Sequence, residues 1–311
     1  MNSYEIKLPS VDRKNAFTAI RIICSLIVVF EHFIVLTNVK FPCLGLRGIA
    51  VKVFFFLSGF WVTRSFFTST GIIEFFKKRI KKIFPPYLVI IFVSAFFLVF
   101  ISTLDFISYF SNSGFWKYLV ANISTLNFIH PDLPGVFNGE PVNGSLWTIK
   151  IELGFYIILP IIILLCLNKN DDKPRARCII VLLLIYFLSV LYVITVSLLI
   201  NKYNLSSSLV NQLPAFMSYF VSGMFCFFFY ESLFKFLNKL FFIAAPLLIV
   251  CIIIKNTYLT AVFEPVSLAI VVMWIALKAR PLFIFSRCYD FSYWLYLVHY
   301  PIIMLIKEFL C

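Results

Sequence analysis

The sequence predicts an all-α protein, a polytopic bundle of about 9–10 transmembrane helices, and its composition is the first observation that favours this fold class. Of the 311 residues, 62% are hydrophobic and only 13% are charged, and the mean hydropathy is +0.98. Soluble domains are about 45–50% apolar and about 25% charged, so this chain has more apolar surface than a soluble core can bury. The second observation is the length of its apolar runs, since residues 179–200 exceed the roughly 20 residues that cross a bilayer as a helix.

Nine long apolar segments predict the individual spans. They lie at 17–38, 48–68, 84–104, 145–167, 178–200, 213–230, 239–255, 259–277 and 289–308. A weaker apolar segment at 115–130 predicts a tenth helix that dips into the membrane or crosses it. Since no internal repeat or appended soluble segment is visible, residues 1–311 are expected to form a single membrane domain. Residues 1–16 are expected to be its cytoplasmic tail, with no soluble C-terminal domain.

The distribution of basic residues is the third observation. The net charge of +13 comes largely from short clusters between the spans, at 77–82, 169–177 and 278–287. Such clusters mark cytoplasmic loops, so the N-terminus is predicted to be cytoplasmic and the 105–144 connection external. A nucleic-acid partner is excluded because no basic domain lies outside the membrane. The eight cysteines are scattered without a Cys-x-x-Cys pair, which favours small buried hydrophobic residues over disulfides or metal ligands.

Ionisable side chains inside apolar spans are costly and point to function. Arg21 and His32 are eleven residues apart, which is about three helical turns and returns to the same helix face. The rise between them is about 16 Å, so Arg21 is expected near the cytoplasmic boundary and His32 near the middle of the membrane. Histidine suits proton transfer, and the pair is therefore predicted to be functional rather than a snorkelling arginine and a core histidine. Glu31 points about 100° away from His32, and its role is not predicted.

Four other features contain polar residues in apolar surroundings. Ser58-Gly59 predicts close helix packing. The basic cluster before Pro85-Pro86, a pair expected to start the next span, suits either topology alone or a ligand with several phosphates. Glu152, about two turns into its span, is either a fold-stabilising acceptor or part of a site. His299 and the tyrosines around it favour a structural role.

Taken together, these segments resemble the integral-membrane acyltransferase type 3 family, whose members O-acylate bacterial surface polysaccharides and other exported acceptors. The residues that carry the resemblance are Arg21 and His32 with ten residues between them, the run FFFLSGF at 54–60, Arg79 to Lys82 before Pro85, Gly144, Trp147, Glu152, Phe155 and Tyr156, and Ser292, Tyr293, Tyr296, Leu297 and His299. The resemblance covers the chain from residue 14 to about 303. One departure is Lys82, where the family commonly has a second arginine, because lysine lacks the bidentate fork. Another is Ala19-Ile20 before Arg21, where the family usually has Gly-Leu.

The resemblance implies an enzyme that takes an acyl group, usually acetyl, from acyl-CoA in the cytoplasm. Acetyl-CoA is expected as a co-substrate, and no permanently bound cofactor and no metal are expected. Arg21, Arg79 and Lys82 are expected to bind the CoA phosphates. His32 is expected to act as general base or acyl carrier, with Glu152 orienting it or lining the acceptor path. The remaining candidate positions, with substrate-binding or structural roles, are Ser58, Trp147, Tyr156, Tyr296 and His299.

The expected partners are acyl-CoA, membrane lipids and a polysaccharide or lipid-linked glycan such as O-antigen, lipopolysaccharide or capsule, in a bacterial inner membrane. The alternative hypothesis is a secondary transporter or flippase of a lipid-linked sugar, which also carries intramembrane Arg, His and Glu. The lack of a detectable repeat and the order of the motifs speak against a transporter. A structural scaffold, which would tolerate loss of His32, is the third alternative.

Overall fold

Helices form nearly all the regular structure of residues 8–11, 14–41, 45–167 and 174–310, the part of the chain that the computed structural model describes. The helices are α1 (Phe17–Thr37), α2 (Leu46–Phe67), α3 (Ile72–Phe97), α4 (Phe106–Ser111), α5 (Ser113–Ile123), α6 (Trp147–Cys166), α7 (Pro174–Tyr203), α8 (Leu213–Phe228), α9 (Tyr230–Ile254), α10 (Thr257–Lys278) and α11 (Ser292–Leu310). Short 3₁₀ segments occur at 98–101, 137–139, 207–211 and 280–287. No strand occurs in these described ranges, which confirms the all-α prediction.

Seven of these helices are long and apolar enough to cross a membrane, namely α1, α2, α3 with its 3₁₀ extension, α6, α7, α9 and α10. The protein is therefore an integral membrane protein. The other two predicted spans are also helical, but α8 has 16 residues and α11 has 19. The nine predicted segments thus all coincide with helices.

The weaker segment at 115–130 does not form a crossing helix. It contains α5, which has 11 residues and ends at Ile123, so its length of about 16 Å falls short of a hydrocarbon core of about 30 Å. Side-chain caps explain why two short helices form here. Asp105 accepts hydrogen bonds from the N–H groups of Ile107 and Ser108 at the start of α4. Asn112 then caps α5 by accepting from Gly114.

Helix α3 begins twelve residues earlier than the predicted span and contains Pro85-Pro86 in its interior. The proline pair therefore does not start the helix. Proline has no N–H, so the carbonyl groups of Lys81 and Lys82, four residues before each proline, lose their helical donors. Both lysines are exposed. The basic residues are consequently part of the same helix as the apolar segment that follows.

The described residues form two compact units. The first unit comprises the described residues of Met1–Arg21, Val51–Phe75 and Gly154–Tyr289, and in it α2 and α8 pack with their backbones in contact. A Cβ on Gly59 would overlap the carbonyl oxygen of Phe220, and a Cβ on Gly223 would overlap that of Phe56. The prediction of close packing is confirmed at Gly59.

The first unit also contains a buried ion pair. The carboxylate of Glu264 on α10, only 2% exposed, accepts a hydrogen bond from Lys52 on α2 at 2.7 Å. The hydroxyl of Tyr219 on α8 donates to the same oxygen at 3.1 Å. This network links three helices through one carboxylate.

The second unit comprises the described residues of Ile22–Ala50, Phe76–Leu153 and Asp290–Cys311. In it α1 and α11 run side by side. The hydroxyl of Ser25 on α1 donates to the carbonyl oxygen of Ser292 on α11 at 3.0 Å, and His32 lies 2.9 Å from His299. The two contacts lie seven residues apart on α1 and also seven residues apart on α11, in the same order along the chain. The helices are therefore parallel and in register over about two turns.

Candidate active site

Two histidines form the centre of the candidate active site, and both belong to the second unit. Nδ1 of His32 lies 2.9 Å from Nε2 of His299, and the ring planes are tilted by 24° at a centroid distance of 5.0 Å. Nδ1 of His299 lies 2.6 Å from the carbonyl oxygen of Tyr296, one turn earlier on α11. His299 is 3% exposed and His32 is half-buried. The sequence predicted His32 as a functional residue, but a structural role for His299.

The segment that precedes α6 holds α11 in position. The side-chain amide of Asn143 donates to the carbonyl oxygen of Leu297 at 2.8 Å. The hydroxyl of Tyr296 donates to the carbonyl oxygen of Ser145 at 3.0 Å and pairs with the hydroxyl of Thr148 at 2.8 Å. These bonds anchor the turn of α11 that immediately precedes His299. The segment after residue 142 therefore positions the second histidine.

Gly144 permits a close approach within the same contact. A Cβ at this position would lie 2.7 Å from the hydroxyl oxygen of Tyr300, so any larger residue would displace the tyrosine. The ring of Tyr300 in turn packs edge-on against His32 at a centroid distance of 5.6 Å. A glycine is needed here so that Tyr300 can contact both the 143–145 segment and His32.

Glu31, whose role the sequence did not predict, caps α2. Its two carboxylate oxygens accept hydrogen bonds from the N–H groups of Leu46 at 2.7 Å and Arg47 at 2.9 Å. These are the first two residues of α2, whose N–H groups have no partner within the helix. The carboxylate is 4% exposed and also lies at the positive end of the helix dipole. Glu31 thereby fixes the start of α2 close to His32.

Three charged residues lie near the histidine pair and Tyr300. Arg47 lies close enough for its charge to act on the His32 ring and on the Tyr300 hydroxyl. Glu140, whose charge also acts on Tyr300, accepts two hydrogen bonds from Lys307 at 2.8 and 2.7 Å. We call Arg47, Glu140 and Lys307 the polar rim. No motif in the sequence identified its members, because they come from three separated segments.

The basic segment of α3, residues 77–82, adjoins the first turn of α11. The hydroxyl of Tyr293 donates to the carbonyl oxygen of Ile83 at 3.2 Å, directly after the exposed Lys82. Nε of Arg79, one turn earlier, is buried. Tyr293 and His299 are six residues apart on α11, a rise of about 9 Å. The basic segment of α3 thus contacts α11 nearly two turns before the histidine pair.

Glu152 lies on the α11 side of α6. Its charge acts on the hydroxyls of Tyr293 and Tyr296, whereas the side chain hydrogen-bonded to His32 is that of His299. Trp147, half-buried, is the first residue of α6. The second unit therefore contains seven predicted site residues, which are His32, His299, Tyr296, Trp147, Glu152, Arg79 and Lys82.

Three predicted residues belong to the first unit. The guanidinium of Arg21 lies 6.0 Å from the centroid of the Trp61 ring. The ring of Tyr156 packs edge-on against Phe75 at 6.5 Å. The hydroxyl oxygen of Ser58 is buried and forms no hydrogen bond within the described part of the chain.

No group of three or more His, Cys, Asp and Glu side chains in the described ranges is arranged to hold a metal ion. The second unit contains the imidazole pair, the polar rim and the basic segment. An imidazole can act as general base or as nucleophile. A basic segment beside it suits a phosphate-bearing ligand.

Comparisons with known proteins agree with this chemistry. The chain is 29% identical to an O-acetyl transferase of Shigella phage Sf6, over 47% of this chain and 45% of the relative. It is 28% identical to nodulation protein 10 of Rhizobium leguminosarum bv. viciae, over 50% and 45%. It is 29% identical to the O-acetyltransferase OatA of Staphylococcus aureus, over 54% of this chain and 26% of that protein. The matches thus span less than half the length of these curated relatives, and no solved structure matches the chain.

The comparison with protein families covers nearly the whole sequence. The family model described as "Acyltransferase domain" matches residues 14–311. This range includes all of α1–α11 and every residue of the candidate active site. The chain therefore belongs to this acyltransferase family.

Proposed function

We propose that the protein is a membrane O-acetyltransferase that moves an acetyl group from acetyl-CoA to a hydroxyl of a cell-surface or exported glycan. The observation that carries the proposal is the His32–His299 pair. The contact uses Nδ1 of the half-buried His32, so Nε2 of His32 is not engaged by His299. Family membership and two relatives named as O-acetyl transferases support the reaction type. The donor, the glycan and the site residues are parts of the same proposal.

The proposed donor site is the basic segment of α3. Arg79 and Lys82 would bind the phosphates of CoA, Arg79 as a guanidinium fork and Lys82 as a point charge. The thioester would then extend along α11 from Tyr293 toward His299. Arg21, in the first unit, stays a phosphate-binding prediction from the family resemblance.

The proposed reaction uses the lone pair on Nε2 of His32. In the direct route, Nε2 accepts the proton of the acceptor hydroxyl while the hydroxyl oxygen attacks the thioester carbonyl carbon. The C–S bond breaks, and the CoA thiolate takes that proton back from His32. In the two-step route, Nε2 itself attacks the carbonyl carbon and releases the thiolate. The acceptor oxygen then takes the acyl group from nitrogen, and its proton neutralises the thiolate.

The polar rim is the proposed acceptor side. Arg47 near His32 and Tyr300, and Glu140 with Lys307 near Tyr300, offer charged donors and acceptors, which suit a polyhydroxylated sugar better than an apolar acceptor. Glu152 would help to hold the tyrosines of α11 in place. O-antigen, lipopolysaccharide and capsule are the acceptors that the resemblance favours.

Purified protein in liposomes tests the function. Radiolabelled acetyl-CoA and a lipid-linked glycan are supplied, and the glycan is analysed for label and for movement across the bilayer. Labelled glycan that depends on the protein supports the acetyltransferase. Glycan movement without label would instead support the flippase alternative. Label found on the His32 peptide when no acceptor is present would favour the two-step route.

The orientation of the protein is tested separately. The basic clusters favour a cytoplasmic N-terminus in a bacterial inner membrane. Because α1 and α11 run parallel, the end of α11 should then lie on the external side. An alkaline phosphatase fusion after residue 310 should be active, and an active green fluorescent protein fusion at the same point would contradict this orientation.

A further inference from the structure

The hydrogen-bond chain from Tyr296 through His299 to His32 determines which nitrogen of each ring carries a hydrogen. A neutral imidazole has one N–H and one lone pair. A carbonyl oxygen only accepts hydrogen bonds. Nδ1 of His299 lies 2.6 Å from the carbonyl oxygen of Tyr296, so this nitrogen carries the hydrogen of His299.

The same reasoning extends to His32. With its hydrogen on Nδ1, neutral His299 presents a lone pair at Nε2. Nδ1 of His32 lies 2.9 Å from that nitrogen and must therefore donate. The hydrogen of His32 is then on Nδ1, and its lone pair is on Nε2. The carbonyl oxygen of Val28, one turn earlier on α1, is a second hydrogen-bond acceptor near the His32 ring.

The charged alternative is disfavoured by its surroundings. If His299 were protonated on both nitrogens, it would carry a positive charge at a site that is 3% exposed. Arg47 already acts on the partner ring with a positive charge. Burying a charge without a compensating partner is costly, so the neutral pair is the resting state.

We propose that His299 is a positioning residue that holds His32 in the tautomer with its lone pair on Nε2 and shares the charge that His32 acquires during turnover. When Nε2 of His32 gains a proton, the hydrogen on Nδ1 can pass to Nε2 of His299 across the existing hydrogen bond. The charge is then shared between the two rings, and while the proton is on His299 this ring donates from both nitrogens, to Tyr296 and to His32. The reverse transfer restores both rings, and no other reactant is needed. The charge-sharing part rests on the proposed function.

Two variants separate the two roles of His299. In His299→Gln, an amide oxygen at about the reach of Nε2 can accept from Nδ1 of His32, but it cannot take up a proton. In His299→Leu, neither role is possible. Glutamine should therefore preserve the tautomer of His32 and lose the charge sharing, and leucine should lose both.

Chemical labelling of His32 measures the tautomer without any substrate. Diethylpyrocarbonate modifies the unprotonated nitrogen of an imidazole, and mass spectrometry gives the rate for each histidine. The chain has three histidines, so His130, outside the pair, is an internal reference. Relative to His130, labelling of His32 should fall about threefold or more in His299→Leu. The hydrogen bond of one nitrogen sets which nitrogen is protonated, so without it the lone pair moves in part to Nδ1, the nitrogen that faces α11. In His299→Gln it should stay near the wild-type rate.

Labelling of His32 at the wild-type relative rate in His299→Leu would overturn the tautomer assignment, as would equally slow labelling in both variants. Acetyl transfer by His299→Gln at the wild-type rate would overturn the charge sharing. Because the labelling needs no substrate, the expected labelling pattern in a protein that transfers no acetyl group would support the tautomer assignment and contradict the proposed function.

Discussion

Replacement of Glu31 should destabilise the protein in proportion to the number of hydrogen bonds lost at the start of α2. The carboxylate accepts two backbone N–H bonds at 2.7 and 2.9 Å. A hydrogen bond to a charged group contributes about 1.5–3 kcal/mol, and loss of a helix cap costs about 0.5–2 kcal/mol. Both hydrogen bonds are only part-buried, so water can accept from the freed N–H groups and offset part of the cost. We expect about 2–4 kcal/mol for Glu31→Ala and about half of that for Glu31→Gln, which keeps one acceptor oxygen.

Thermal unfolding in detergent measures this effect. One kcal/mol corresponds to about 2–4 °C for chains of 150–250 residues, so Glu31→Ala should lower Tm by roughly 4–16 °C and Glu31→Gln by roughly half as much. Glu308→Ala is the matched control, because Glu308 is exposed in the last turn of α11. A Tm of Glu31→Ala that equals that of the control would refute the capping role. The same would follow if glutamine were as destabilising as alanine.

Three further substitutions test packing and charge. Gly144→Ala should lower acetyl transfer and cost about 1–3 kcal/mol of stability through overpacking. In the control Gly48→Ala a Cβ meets nothing within 4 Å, so transfer and stability should stay near wild type. Equal transfer and equal Tm in the two variants would contradict this prediction. Gly223→Leu should separate the backbones of α2 and α8 and lower Tm by more than either of these changes. A wild-type Tm would contradict the close contact of the two backbones. Lys52→Met should cost about 3 kcal/mol because Glu264 stays buried without its cation. Adding Glu264→Gln should recover part of that loss in the same thermal assay, and additive losses would contradict the pairing.

The helices were predictable because long apolar runs identify them without knowledge of tertiary contacts. Gly59 also predicted close packing, since a glycine in an aromatic run leaves space that another backbone can fill. The start of α3 was not predictable in the same way. Pro85-Pro86 normally favours a helix start, and here the helix continues through the pair with the exposed Lys81 and Lys82 before it.

The site was predictable only in part because its essential contacts join distant residues. His299 lies 267 residues after His32, and no local pattern links the two rings. The role of Glu31 was equally hidden. A helix is usually capped by the residue just before it, but Gly45 precedes α2 with φ 72° and has no side chain to act as a cap. Glu31, fifteen residues earlier, supplies the acceptors instead.

The most direct test of the central claim is a single-turnover measurement of acetyl transfer in proteoliposomes with His32→Gln and His130→Gln. Nε2 of His32 is the proposed reactive atom, whereas the side chain of His130 has no proposed part in the reaction. His32→Gln should lose transfer by at least about 100-fold, the lower range of a general base, while its Tm and insertion stay near those of the wild type. His130→Gln should transfer at the wild-type rate. Transfer by a folded His32→Gln at the rate of His130→Gln would contradict the account.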